Sequence, residues 1–291
     1  MQSNNPIFRR SEEFNRGGAN SYGNQTYAGN GAPQPGYGDP SQWSVGTPGG
    51  TGYAPATTSA PMTIDTVVQK TAITLGLVII SAAATWLVTG DITATSVPSS
   101  LVTALTLGSL VAFALSMVNS FKRVISPALV MAFAVAEGVA LGAFSKFIDA
   151  VYNEPGTGHN LVVQAVLGTF AAFAGTLAAY KFFDIKVGQK FRTFVIAAVF
   201  GMVGLSMLEL VLGLFGSSFG LFGFGGLGIL TAIAGLVLGV FMLILDFDFV
   251  EQGIANRIPE QESWRAAFAM TVSLVWIYTN LLRLLAIFSD N

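Results

Sequence analysis

Gly226-Leu-Gly-Ile-Leu-Thr-Ala-Ile-Ala-Gly-Leu-Val-Leu-Gly-Val-Phe-Met-Leu-Ile-Leu245 carries no charged side chain, and the chain then reads Asp246-Phe-Asp-Phe-Val-Glu251. A bilayer core takes about 20 apolar residues in helical form, so residues 226–249 are predicted to span one and to end on a carboxylate cluster. Six further stretches of the same kind accompany it, at roughly 67–89, 99–119, 125–148, 161–181, 191–214 and 264–288. Polar or glycine-rich breaks separate them, among them Lys122-Arg123, Asn153 to Asn160, Asp184 to Lys190 and Phe215 to Gly225. The 291 residues are 52% hydrophobic and 10% charged, with a mean hydropathy of +0.62, outside the range of ordinary soluble domains. The predicted fold class is an all-α integral membrane protein, a bundle of seven transmembrane helices.

The first sixty residues are a different material. They hold one Ile, one Val and no Leu, while Gly, Pro, Asn, Gln, Ser and Tyr dominate. Such a segment buries too little apolar surface to offset its ordering entropy. The chain therefore divides into a disordered tail over 1–60 and a seven-helix membrane domain over 61–291. Arg9 and Arg10 are followed by polar sequence, so no signal peptide is read there. Tyr22, Tyr27, Tyr37 and Tyr53 are spaced as stickers for a partner or as part of a solvated tail.

Lysine and arginine bias sets the orientation. With the tail inside, Arg9, Arg10, Arg16, Lys70, Lys122, Arg123, Lys181, Lys186, Lys190, Arg192, Arg257 and Arg265 fall on the inner side. Lys146 lies near an outer end and Arg283 within the last span. This predicts a cytoplasmic N-terminus and an outer C-terminus. Small residues at Gly228, Ala232, Gly235 and Gly239, and at Gly168, Ala172, Gly175 and Ala179, mark helix-packing seams.

Ionisable groups at membrane depth are costly and are functional candidates by default. Glu137 lies about 18 Å into span three at about 1.5 Å per residue, near the midplane. It either lines an ion path or is a buried structural acid. Glu209 on span five and Arg283 on span seven reach the same outer layer, and a structural ion pair between them is predicted. Asp246 and Asp248 are about 200° apart around a helix, so they cannot face one cavity. Asp246 is the interior candidate, while Asp248 shares a side with Glu251 as a solvated or interfacial pair and, with Glu137, is a candidate for the ion path. Lys122 or Arg123, leaving span two at the same end, could latch onto Asp246, and a latched acid in low dielectric can gate a path with proton concentration.

Other chemistries have little support. Without cysteine there is no disulfide or thiolate site. The net charge of -2 and scattered cations leave no nucleic-acid footprint. Gly216-Ser-Ser-Phe-Gly220 matches G-x-S-x-G, but in a Gly/Phe/Ser loop, and the sole histidine is His159. A retinal protein needs a Schiff-base lysine in its last helix, and none follows Lys190. No enzymatic activity and no stably bound cofactor are expected.

Three stretches carry a resemblance. They are Ser126-Pro-Ala-Leu129 with Ala136-Glu-Gly-Val-Ala-Leu-Gly142, then Leu243 to Glu251, then Tyr278-Thr-Asn-Leu-Leu-Arg-Leu-Leu285. Over residues 61–288 the chain resembles the Bax inhibitor (transmembrane BAX inhibitor motif) family, in its bacterial YccA-type branch. The resemblance implies a last helix surrounded by the other six and a pH-sensitive calcium leak in a plasma membrane. It also implies paired aspartates on spans six and seven, with a basic latch from the end of span two. Asp246 matches the span-six acid, Lys122 or Arg123 the latch, and Glu137 the span-three acid. Span seven departs from the pattern, having no Asp or Glu between Trp264 and Ser289. The expected acid falls at Ser273 if Asn280-Leu-Leu-Arg anchors the match, and at Asn280 if Trp-x-Tyr does. Expected partners are the lipid bilayer, with calcium or protons passing. The alternative is a non-conducting regulator that binds a membrane protease or stress-response complex.

Overall fold

The computed structural model describes residues 60–92, 96–152, 160–183 and 185–289. The predicted tail, its tyrosines and arginines, and His159 lie outside the described residues. Among these residues are seven helices long and apolar enough to cross a membrane: α1 (Ile64–Val88), α2 (Ser99–Phe121), α3 (Pro127–Tyr152), α4 (Leu161–Phe182), α5 (Gln189–Leu214), α6 (Gly226–Ala255) and α7 (Ser263–Ser289). The chain is an all-α, multi-pass membrane bundle.

Local chemistry sets several boundaries. Thr63 caps α1, its hydroxyl accepting from Thr66 N–H while the Thr66 hydroxyl accepts from Thr63 N–H. Pro127 opens α3 at a position where a missing N–H costs nothing. The largest departure from the predicted spans is α6, which runs to Ala255 instead of stopping near 249. Asp248 and Glu251 both find partners on neighbouring helices, so the acidic cluster does not end the helix. Arg257, at φ 50, then turns the chain out, and a 3-10 turn over Glu260–Glu262 leads into α7.

Helices in lipid gain nothing from apolar burial against one another and associate through close packing and interhelical hydrogen bonds. α7 is where those contacts converge. Buried positions make up 56% of its most apolar window, against 6% for α5. Its principal neighbours are α1, α3, α4 and α6, four helices instead of the six that the resemblance implies. The reason lies in how the outer two pack. α2 sits on α3, with Gly108 against Ala140, and α5 sits on α6, where Phe191 and Phe241 meet edge to face.

Small residues set the close approaches. A Cβ at Gly138 would strike Ser81 and Val78, and one at Gly142 would strike the backbone of Ala82, which fixes α1 on α3. On α6, Gly235 and Gly239 accept Asn280 and Ile277 of α7, so the predicted seam there is a real one. On α4 only part of the predicted stripe packs in this way, Gly168 against Leu281, while Gly175 faces open space. Polar groups join the same helices, with Thr74 and Thr271 bonded at 2.9 Å between α1 and α7.

The two ends of the bundle are tied differently. At the end holding the start of α7, Lys70 Nζ pairs with Glu260 Oε1 at 2.9 Å. There Gln261 Nε2 also donates to Ile125 O, and Arg265 Nη2 to Arg123 O. At the opposite end Lys146 Nζ donates to the carbonyls of Trp86 (2.9 Å) and Thr89 (2.6 Å). A buried ammonium thus satisfies the orphan carbonyls at the end of α1 and complements the helix dipole.

Candidate functional site

The link over residues 256–262 returns the chain, so α6 and α7 run antiparallel with the glycine seam fixing their register. Gly235 opposes Asn280 and Gly239 opposes Ile277; further along, Asp246 opposes Ser273. The Ser273 hydroxyl donates to Asp246 Oδ2 at 2.6 Å. Asn280 lies toward the other end, its amide donating to Trp276 O at 2.8 Å. Of the two positions where a second acid is expected, only Ser273 meets Asp246. A hydroxyl takes the place of a carboxylate there, and Ser273 is buried.

The separation of Asp246 from Asp248 holds, and of the two readings of Asp248, solvated or interfacial, the structure shows the interfacial one. Asp248 is 7% exposed; its Oδ2 pairs with Arg192 Nη2 at 2.8 Å and accepts from Gln252 Nε2 at 2.7 Å. A carboxylate removed from water needs such compensation, and the first turn of α5 supplies it. Glu251 is exposed and takes the hydroxyl of Tyr180 on α4 at 2.5 Å instead of sharing a solvated pair with Asp248. The two acids therefore tie α6 to α5 and α4.

Lys122 and Arg123 have exposed side chains, and neither is bonded to Asp246. They follow α2, which packs on α3 and away from α6. What holds that segment is its backbone, through Arg265 to Arg123 O at 2.9 Å. The basic group that reaches the acidic end of α6 is Arg192. Glu137 is half-buried on α3 beside the glycines that lock α3 to α1. Among the described residues its carboxylate makes no hydrogen bond or ion pair.

A family model described as Bax inhibitor 1 like matches residues 5–290. The chain belongs to the Bax inhibitor 1 like family. A comparison with curated proteins finds no match. In this Bax inhibitor 1 like chain the α7 residue that meets Asp246 is Ser273.

The end of the bundle away from Asp246 overturns the predicted ion pair. Glu209 accepts from Ser218 Oγ (2.7 Å) and from the backbone N–H groups of Gly220 (2.8 Å) and Phe219 (3.3 Å). Arg283 is buried at 8% exposure, with Nη2 toward Gly228 O and Thr231 Oγ1 and the guanidinium 5.4 Å over the Phe222 ring. Equal depth does not bring the two together, because α6 stands between α5 and α7. Ser218, the serine of the G-x-S-x-G match, serves as a donor to Glu209.

Arg192 and Gln252 were missed as site residues. Arg192 carried one usable signal: counted along span five, it lies in the layer of the span-six acids. The pairing of Ser145 Oγ with Tyr278 OH, at 2.6 Å, had no comparable signal.

Proposed function

We propose that this protein is a calcium-conducting cation leak of Bax inhibitor type, with Asp246 guarding one end of the path and Glu137 lining it. The observation that carries the reading is the 2.6 Å bond from Ser273 to Asp246. It sets an acid on the seam between α6 and the most buried helix, so a movement of α7 that opens a path at this end has to break it. Glu137, without a bonded partner among the described residues, offers a carboxylate to a passing cation. Arg192 takes the latch role through Asp248, in place of Lys122 and Arg123. With a hydroxyl opposite Asp246, proton sensitivity rests on a single acid and not on a shared-proton pair.

Within the family we assign the chain to the bacterial YccA-type branch, on its three motif stretches. The membrane is the plasma membrane, with a cytoplasmic N-terminus and an outer C-terminus, on the lysine and arginine bias. The reading includes no enzymatic step and no stably bound cofactor.

Purified full-length protein in liposomes containing a calcium dye tests it. Calcium entry above that of empty liposomes, varying with pH and altered by Asp246→Asn, is expected; entry equal to that of empty liposomes sinks the reading.

One observation favours a second reading, a non-conducting regulator of another membrane protein. α5 buries only Val195 and leaves Phe194, Phe200, Leu208 and Val211 exposed, a face free to pack on another protein's helix. On that reading, removal of residues 1–60 abolishes capture of the partner and the liposomes stay tight.

A further inference from the structure

α1 and α4 both pack on α7, and a cavity of about 520 Å³ lies between them, floored by α3 and α7. This is within the ~300–1,000 Å³ typical of ligand pockets. Its mouth faces sideways, since Ile79, Ala83 and Leu87 on α1 and Val163 and Phe170 on α4 are exposed. The cavity runs from Leu75 to Leu87 along α1 and from Asn160 to Phe170 along α4. At about 1.5 Å per residue this is roughly 15 to 18 Å, half of a hydrocarbon core about 30 Å thick. The slot is one leaflet deep.

Its polarity is graded along that length. Asp149 and Asn160 stand at the outer rim, at the end of α3 and the start of α4, with Trp86 across from them. Deeper, Ser145 and Tyr278 spend their hydroxyls on each other. The remaining depth is lined by Leu75, Phe170 and Leu274. Lys146 lies one helical turn before Asp149, but its ammonium is turned to the carbonyls of Trp86 and Thr89 and to Asp91.

A site polar at the membrane surface and apolar toward the midplane, with a lateral door, has the layout of a lipid in its leaflet. Moving an acyl chain from bilayer to groove gains little from the hydrophobic effect, since both surroundings are apolar. Residence therefore depends on close packing and on the headgroup. The rim carries a carboxylate and an amide, whose oxygens accept hydrogen bonds from a primary ammonium, whereas a quaternary ammonium and a glycerol head bring no charged donor. We propose that this groove holds the acyl chain of one amine-headed phospholipid, with its ammonium at Asp149 and Asn160. The site is distinct from the Asp246 end and independent of any leak.

The test is lipid retention by full-length protein, stripped in detergent and titrated with phosphatidylethanolamine, phosphatidylcholine or phosphatidylglycerol, with bound lipid counted by native mass spectrometry. One phosphatidylethanolamine per chain is expected, held roughly tenfold more tightly than the other two, the ratio a charge-assisted hydrogen bond supplies. Ala83→Trp and Val163→Trp, both on exposed walls of the mouth, should remove it. Asp149→Asn should keep a lipid bound but erase the preference among headgroups. Retention unchanged in both tryptophan variants means an annular lipid only and overturns the site; a preference that survives Asp149→Asn, or that wild type lacks, overturns the headgroup assignment.

Discussion

At the scale of single residues, Asp246 and Asp248 are separated by two positions and by two different environments. Asp246 faces α7 and receives one hydroxyl; Asp248 faces α5 and receives a guanidinium. Ser273→Asp restores two carboxylates in direct contact, a pair that shares a proton. Calcium flux in that variant should acquire a steeper pH dependence than wild type, and a profile that overlays wild type would show that Ser273 does not sit at the gate. Arg192→Ala leaves Asp248 buried without its counter-charge. The cost should be about 1–3 kcal/mol, below the ~3–5 of a fully buried pair because Arg192 is 38% exposed. Thermal unfolding in detergent reads it, and the double change Arg192→Met with Asp248→Leu should recover most of the loss. The alternation of Asp246 and Asp248 around the helix was legible in sequence. Their partners were not, because a period gives a direction and not the neighbour that stands there.

At the scale of elements, the glycines divide by what faces them. Gly142 meets the backbone of Ala82, which cannot rotate aside, whereas Gly175 meets nothing within 4 Å. Alanine at an exposed helical position is worth about 1 kcal/mol over glycine. Gly175→Ala should therefore be neutral or stabilising in a detergent melt, and Gly142→Ala destabilising by about 1–3 kcal/mol, as overpacking generally is. Equal effects would mean that α1 and α3 are not in close contact. The same contrast explains why two similar stripes on α4 and α6 have different fates. Small residues at helical spacing permit a close approach, but only the neighbouring helix makes one, and beside Gly175 none does.

At the scale of the whole molecule, an odd number of spans puts the two ends of the membrane domain on opposite faces. The absence of native cysteine gives a clean background for mapping them. With the tail inside, a membrane-impermeant maleimide should label Asp91→Cys on intact cells and Lys122→Cys only after lysis; the reverse pattern would invert the bundle and move Asp246 to the outer face. The sequence by itself determined the seven spans, the helical class, the order of the charges along each span and the mutual exclusion of Asp246 and Asp248, since all of these follow from hydropathy and helical period along one segment. Only the tertiary structure decided that Ser273 and not Asn280 meets Asp246, that Arg192 and not Arg123 reaches the acidic end of α6, and that Glu209 and Arg283 stay apart. Those are lateral relations between helices, and a one-dimensional pattern records where along its span a residue lies but not which helix stands beside it.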